Sequence, residues 1–177
     1  MPETPALPQQ NAFAATPAVV LDSNVWIDIL VFDDPHTRPI LAALERGALR
    51  ALIDARCLAE LTHVLDYPQF EKRAIDKADA LARLARLSTL VEPPVPAENA
   101  DQADNAGDTR PLPKCKDRDD QKFLELAHAM QADWLISKDR AVLKLAKRIA
   151  RDFGFRIAQP APFVAECALV SGEPVAA

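Results

Sequence analysis

Val19-Val20-Leu21-Asp22-Ser23-Asn24-Val25-Trp26-Ile27 is the stretch on which the fold turns. Three strand-type apolar residues stop abruptly at Asp22-Ser23-Asn24. Apolar character then resumes from Val25 to Leu30, interrupted by Asp28. The pattern reads as a strand, a turn and a helix start. It recurs along the chain. Leu49 to Ile53 is a second short apolar run, followed by a stripe of Cys57, Leu58, Leu61, Val64 and Leu65 that predicts a helix over 55–65, ended by Pro68. Trp134-Leu135-Ile136 is a buried-strand pattern, and Val142, Leu145, Ala146 and Ile149 give one helical face after it. Phe155 to Ile157 is the last strand, and Pro160-Ala161-Pro162-Phe163 opens a short helix. Further helices are expected from Thr37 to Arg46, stopped by Gly47, over 70–90, and from Asp119 on the face of Phe123, Leu126, Ala127 and Met130. Strands alternating with helices imply an α/β fold, a central parallel sheet of four to five strands with helices on both faces.

The flanks bound this unit. Residues 1–17 carry four prolines and little periodicity, and read as a loose tail before a domain over 18–168. A second tail is expected over 169–177. Residues 92–118 hold five prolines and the scattered acids Glu98, Asp101, Asp104 and Asp108, the composition of a long irregular loop. At 177 residues, 49% hydrophobic and 27% charged, the chain can bury a core without staples. Its apolar runs fall far short of the ~20 residues of a membrane span, and the first basic residue is Arg38, so no membrane or secretory segment is expected. Cys57, Cys115 and Cys167 are odd in number and form no C-x-x-C pair, which fits a reducing cytoplasm rather than a zinc cage or redox pair. The net charge of −5 excludes binding to nucleic acid by bulk positive charge alone, and leaves room for a local basic face.

In open parallel sheets the ligand site lies beyond the carboxyl ends of the strands. The first strand delivers Asp22 there, and Trp134-Leu135-Ile136 delivers Ser137-Lys138-Asp139. Asp119-Asp120 opens the helix before that second strand, with Asp119 in the N-cap position and Asp120 on the flank of the buried face. Glu60 sits at the margin of the apolar face between Cys57 and Val64, where burial costs free energy unless it finds a partner. Singly, each acid has a structural reading: Asp22, Asp119 and Asp139 as helix caps, Glu60 as a rim residue. Four converging carboxylates would repel one another, and a hard divalent cation removes that penalty. Carboxylate oxygens suit Mg²⁺ or Mn²⁺. His36, His63 and His128 are isolated in sequence, and no local histidine or cysteine competes as a softer ligand.

Taken in order, Leu-Asp-Ser-Asn-Val (21–25), Leu-Ala-Glu-Leu (58–61), Asp-Asp-Gln-Lys-Phe-Leu-Glu-Leu-Ala (119–127) and Leu-Ile-Ser-Lys-Asp (135–139) resemble the PIN-domain ribonucleases. The run from Cys115 to Phe123 and the Pro160-x-x-Phe163 ending are similar, more narrowly, to the bacterial PIN-family toxins of toxin–antitoxin systems. The resemblance covers roughly 18–165 and implies a PIN-like three-layer fold. It also implies metal-binding, catalytic roles for Asp22, Glu60, Asp120 and Asp139, with Asn24, Ser137 and Asp119 in support. The loop over 92–118 is longer than the family pattern needs, and Lys138-Asp139-Arg140 is more basic than it. The implied chemistry is metal-assisted hydrolysis of RNA to 5′-phosphate and 3′-hydroxyl ends. The implied partners are an RNA substrate and an antitoxin protein, with a homodimer left open.

A nuclease must also hold its substrate backbone. Lys114, Lys116, Arg118 and Lys122 flank the third acid and are the expected RNA contacts. Lys144, Lys147, Arg148 and Arg151, expected opposite the apolar face of one helix, form a second basic group that reads equally as a solvated exterior. Three other functions compete. A protein-binding module of low activity, controlled by a partner, would use the acidic pocket to receive an Arg or Lys. An aspartyl-nucleophile phosphatase would need an acid where Asn24 stands. A dinucleotide-binding enzyme would need a glycine-rich phosphate turn, and the four glycines form no such array.

Overall fold

A computed structural model describes residues 16–94, 110–167 and 169. Five strands, β1 (Ala18–Leu21), β2 (Arg50–Ile53), β3 (Ser88–Leu90), β4 (Trp134–Ile136) and β5 (Arg156–Ala158), form one sheet in the order β3-β2-β1-β4-β5, with every pairing parallel. Helices α1 (Ser23–Ile27), α2 (Arg38–Glu45), α3 (Ala55–Val64), α4 (Pro68–Glu71), α5 (Lys77–Leu87), α6 (Gln121–Ala129), α7 (Arg140–Leu143), α8 (Ala146–Asp152) and α9 (Pro160–Glu166) supply the connections in a three-layer α/β arrangement. The central strands β1 and β4 are buried on both faces. All four residues of β1 and all three of β4 lie in the core, the continuous apolar signature of parallel sheets.

The chain order fixes where a site can form. From β1 the chain builds outward through β2 to β3, then returns to lay β4 on the other side of β1. The crevice therefore opens beyond the carboxyl ends of β1 and β4, the topological switch point of the sheet. Asp22 follows the first of these strands and Ser137 the second.

The expected helix over 70–90 is three elements. The chain turns after α4, with Ala74 in the left-handed region at φ 51°, and Asp76 starts α5 afresh by accepting the Asp79 amide at 3.1 Å. Ser88–Leu90 then leaves the helix and pairs with Ala51, Leu52 and Ile53. A three-residue strand carries no period of its own, so only the neighbouring strand reveals it. The expected helix over 142–149 is likewise two, α7 and α8, separated at Lys144-Leu145. Its basic residues are therefore not one continuous helical stripe. Lys147 and Arg148 are exposed on α8, and Arg151 is drawn onto its neighbour Asp152 at 2.8 Å.

The region expected to be irregular over 92–118 falls mostly on residues 95–109, outside the described residues, as do most of the tails over 1–17 and 169–177. Its end is nonetheless tied down. Gln121, the first residue of α6, accepts the Cys115 amide through Oε1 at 2.6 Å and donates through Nε2 to the Pro113 carbonyl at 3.3 Å. Pro113 and Cys115 are buried while Lys114, Lys116 and Arg118 face out. No helix among the described residues is long and apolar enough to cross a membrane.

Leu135 is wholly buried in the centre of β4, whereas Leu90 at the sheet edge is 61% exposed. Leu135→Ala should lower stability by about 2–5 kcal/mol through lost burial and a residual cavity. Leu90→Ala should change it by about 0.5 kcal/mol or less. Urea unfolding midpoints of the two variants check this.

Candidate active site

Asp22 is 4% exposed at the end of β1. Its Oδ1 accepts the Val25 amide at 2.9 Å and so caps α1, while Oδ2 accepts the Ser137 hydroxyl at 2.5 Å. Ser137, fully buried, also accepts the Asp139 amide on its Oγ at 3.0 Å. One hydroxyl thus ties the end of β1 to the turn after β4. Asp139 caps α7, its Oδ1 accepting the Ala141 amide at 2.7 Å and the Val142 amide at 3.3 Å. The structural and functional readings of Asp22 and Asp139 are therefore not exclusive: each carboxylate uses an oxygen as a cap.

Asp120 behaves differently. Helix α6 begins at Gln121, so the residue in the cap position is Asp120 and not Asp119, and its side chain makes no cap hydrogen bond. The expectation of Asp119 as N-cap is corrected. An Asp117 carboxylate that accepts the Asp119 amide at 3.0 Å turns the chain one step later than an N-cap Asp119 would. The uncommitted Asp120 carboxyl is pushed up to about 6, first by burial and then by the charges of Asp139, Asp117, Asp22 and Glu60. The charges that act on Asp120 thus include those of the other three expected acids. They also add Asp117, which sequence reasoning missed because nothing in Asp117-Arg118-Asp119-Asp120 ranks one acid above another. Burial likewise raises the Asp22 carboxyl, opposed by the Ser137 hydroxyl and the amides of Val25 and Lys138.

Glu60, on α3, is half-buried and ion-paired with Lys122 on α6. Lys122, an expected RNA contact, lines the same cavity as Lys114, Lys116 and Arg118, and its ammonium pairs with Glu60 and donates to the Asp119 carbonyl at 2.5 Å. Asn24 is exposed on α1. The excess basicity around Asp139 also has a local explanation. Lys138 reaches Asp28, the buried acid that interrupts the apolar run of the first helix, at 2.6 Å. Cys115 corrects another expectation, that no thiol is local. It lies close enough for Asp120, Asp139 and Asp117 to act on it, but burial and those charges hold the thiol up and protonated.

Beside the acids lies a cavity of about 890 Å³, lined by Arg56, Lys114, Lys116, Arg118, Lys122 and His128 among others. Arg56 and His128 join Lys114 to Lys122 on a wall that also carries Asp119 and Glu125. Arg56 is 69 positions from Glu125, its ion-pair partner at 2.6 Å, and only folding places it there.

The model of the PIN domain family matches residues 18–141. The chain belongs to the PIN domain family. No curated protein and no solved structure matches it. PIN domains are typically nucleases, and the family generally uses a divalent metal. The matched segment of this PIN domain spans all four expected acids, Asp22, Glu60, Asp120 and Asp139. The donor chemistry fits a hard divalent cation: carboxylate oxygens whose mutual repulsion already perturbs Asp120. Among the described residues no three acid, histidine or cysteine side chains form a closed set around one point. Glu60 is paired with Lys122, and Asp139 uses Oδ1 in the cap of α7.

A carboxyl raised in the folded state favours folding below its unfolded pKa and loses that contribution as pH rises through the folded value. Asp120 moves from 3.8 to about 6. In EDTA, wild type should therefore lose stability relative to Asp120→Asn between pH 4 and pH 7, with the gap closing again toward pH 4. Paired urea titrations across that range measure the difference. A gap independent of pH would show that Asp120 stands apart from the other acids.

Proposed function

We propose that this PIN domain is an endoribonuclease that uses Mg²⁺ or Mn²⁺ to hydrolyse RNA phosphodiester bonds, and that it is the cytoplasmic toxin of a toxin–antitoxin pair. The observation that supports the nuclease reading is the Ser137 hydroxyl that ties Asp22 to the Asp139 backbone at the switch point of a PIN-family sheet, together with the Glu60–Lys122 pair at the wall of a cavity rich in lysine and arginine. A group of acids held together at the cost of their own repulsion is explained by a cation that relieves it.

Asp22, Glu60, Asp120 and Asp139 are the residues that would hold the ion, with Asn24 and Asp119 beside them. A bound divalent ion lowers the pKa of a coordinated water and sets it in line with phosphorus. The protein contributes placement. Ser137 holds the Asp22 carboxylate by Oδ2 and the Asp139 backbone by its amide, so two donors move as one. Gln121 pins Pro113 and Cys115, which turns Lys114 and Lys116 outward, and Arg118 follows them on the cavity wall. These cations grip the phosphates of a single-stranded or looped RNA and leave its bases unread. The toxin assignment is supported by the likeness of the Cys115–Phe123 run and the Pro160-x-x-Phe163 ending to the bacterial PIN toxins. An antitoxin that silences such a site would present an Arg or Lys to the acids. The absence of an acid at Asn24 weighs against a phosphatase with Asp22 as nucleophile.

Purified protein should cleave RNA in Mg²⁺ or Mn²⁺ and not in EDTA, and Asp22→Asn should lower the rate at least about 100-fold with its circular dichroism unchanged. Wild-type turnover in that variant would refute the metal assignment.

The grip is electrostatic, so binding should weaken steeply with salt. Each phosphate contact removed should flatten the log–log salt slope by about 0.7 for a single strand. Replacing Lys116 and Arg118 together by alanine should raise KM and flatten the slope. The pair Lys147 and Arg148, with Lys144, serves as the control. If neutralising that group weakens RNA binding instead, the strand crosses α8 and not the cavity.

A further inference from the structure

Lys122 occupies two environments at once. Its ammonium is ion-paired with Glu60 and bonded to the Asp119 carbonyl, while the same residue lines the wall of the basic cavity with Lys114, Lys116 and Arg118. The side chain is 17% exposed and that of Glu60 30%, so the pair is partly withdrawn from water and its attraction is not fully screened. Glu60 cannot give its charge fully to a second cation while Lys122 holds it. Lys122 in turn will not leave Glu60 for water without losing that attraction. An entering phosphate is the anion that makes the exchange nearly neutral, because it offers Lys122 an equivalent partner on its cavity side.

We propose that Lys122 is a positioning residue that couples nucleic-acid binding to metal binding: a backbone phosphate in the cavity draws its ammonium off Glu60, and the freed carboxylate completes the metal site. This inference rests on the proposed ribonuclease function. Among the described residues, Glu60 is the one of the four expected acids that is ion-paired with a lysine. Coupling between two ligands is reciprocal, so the metal must tighten nucleic acid by the same factor.

The test measures Mn²⁺ affinity of the full chain by titration calorimetry, with and without a phosphorothioate-substituted uridine octamer that resists cleavage. Wild type should bind Mn²⁺ on the order of ten-fold more tightly with the octamer than without. Lys122→Met should bind Mn²⁺ more tightly than wild type when the octamer is absent, because Glu60 is already free, and should show a coupling factor reduced toward one. Lys122→Arg, which keeps the cation, should retain most of the coupling. Direct contact between ion and phosphate survives in Lys122→Met, so the difference between that variant and wild type isolates the lysine. Thermal unfolding confirms that the variants fold, and Lys122→Gln, which also removes the cation and is expected to lose the coupling, carries the comparison if the methionine variant does not fold. Equal coupling in wild type and Lys122→Met, or no coupling in wild type, would overturn the inference and leave the ribonuclease reading standing. Failure of wild type to bind either Mn²⁺ or the octamer would overturn both.

Discussion

The Ser137 hydroxyl sits where two strands that are 115 positions apart in sequence end side by side, donating to Asp22 Oδ2 and accepting the Asp139 amide. Everything proposed for the site depends on that junction. A buried hydroxyl with both functions satisfied is costly to disturb, and here it fixes the separation of two carboxylates by backbone geometry. The sheet order makes the junction available. β1 and β4 are neighbours while their connections run to opposite edges, which opens a crevice between their carboxyl ends.

The charge pattern follows from what this crevice can tolerate. Asp28 is buried and is neutralised by Lys138; Asp54, buried at the end of β2, is capped by the Cys57 amide and paired with Arg56. Each of these acids is answered by a cation of the chain. Asp22, Asp120 and Asp139 differ: Asp22 and Asp139 spend oxygens on backbone amides or a hydroxyl, and the Asp120 side chain makes no cap bond. The distinction separates acids that hold the structure together from acids left with unspent charge. Glu60 falls between them, with a lysine that also belongs to the neighbouring cavity. A protein with a net charge of −5 thereby presents an acidic crevice and a basic wall side by side, an arrangement that attracts a polyanion and a divalent cation to adjacent places.

Most of the fold was legible in the residues. Four of the five strands announce themselves as short apolar runs, because a parallel strand buried on both faces must be apolar throughout. The stops at Asp22, Gly47 and Pro68 and the apolar faces of α2, α3 and α6 were equally plain. The fifth strand was not. Ser88-Thr89-Leu90 continues the alanine- and leucine-rich spacing of α5, and its half-exposed edge position removes the apolar signature that marked the others. The start of α6 was misplaced by one residue for a similar reason. Asp117, Asp119 and Asp120 are equivalent as cap-formers in sequence, and the choice among them is made by the Asp117 turn and by the Gln121 clamp on Pro113 and Cys115.

The sequence by itself determined that the chain would form a parallel α/β sheet and which acids would stand at strand ends, because apolar periodicity and abrupt polar stops are local properties of the chain. Only the tertiary structure decided what each acid does there. Whether a carboxylate is capped, paired or left charged depends on partners such as Ser137 for Asp22, Lys122 for Glu60 and Lys138 for Asp28, and all three are brought up by other elements of the fold. Coulomb energy and desolvation depend on distance and burial, and neither is set until the strands have taken their order.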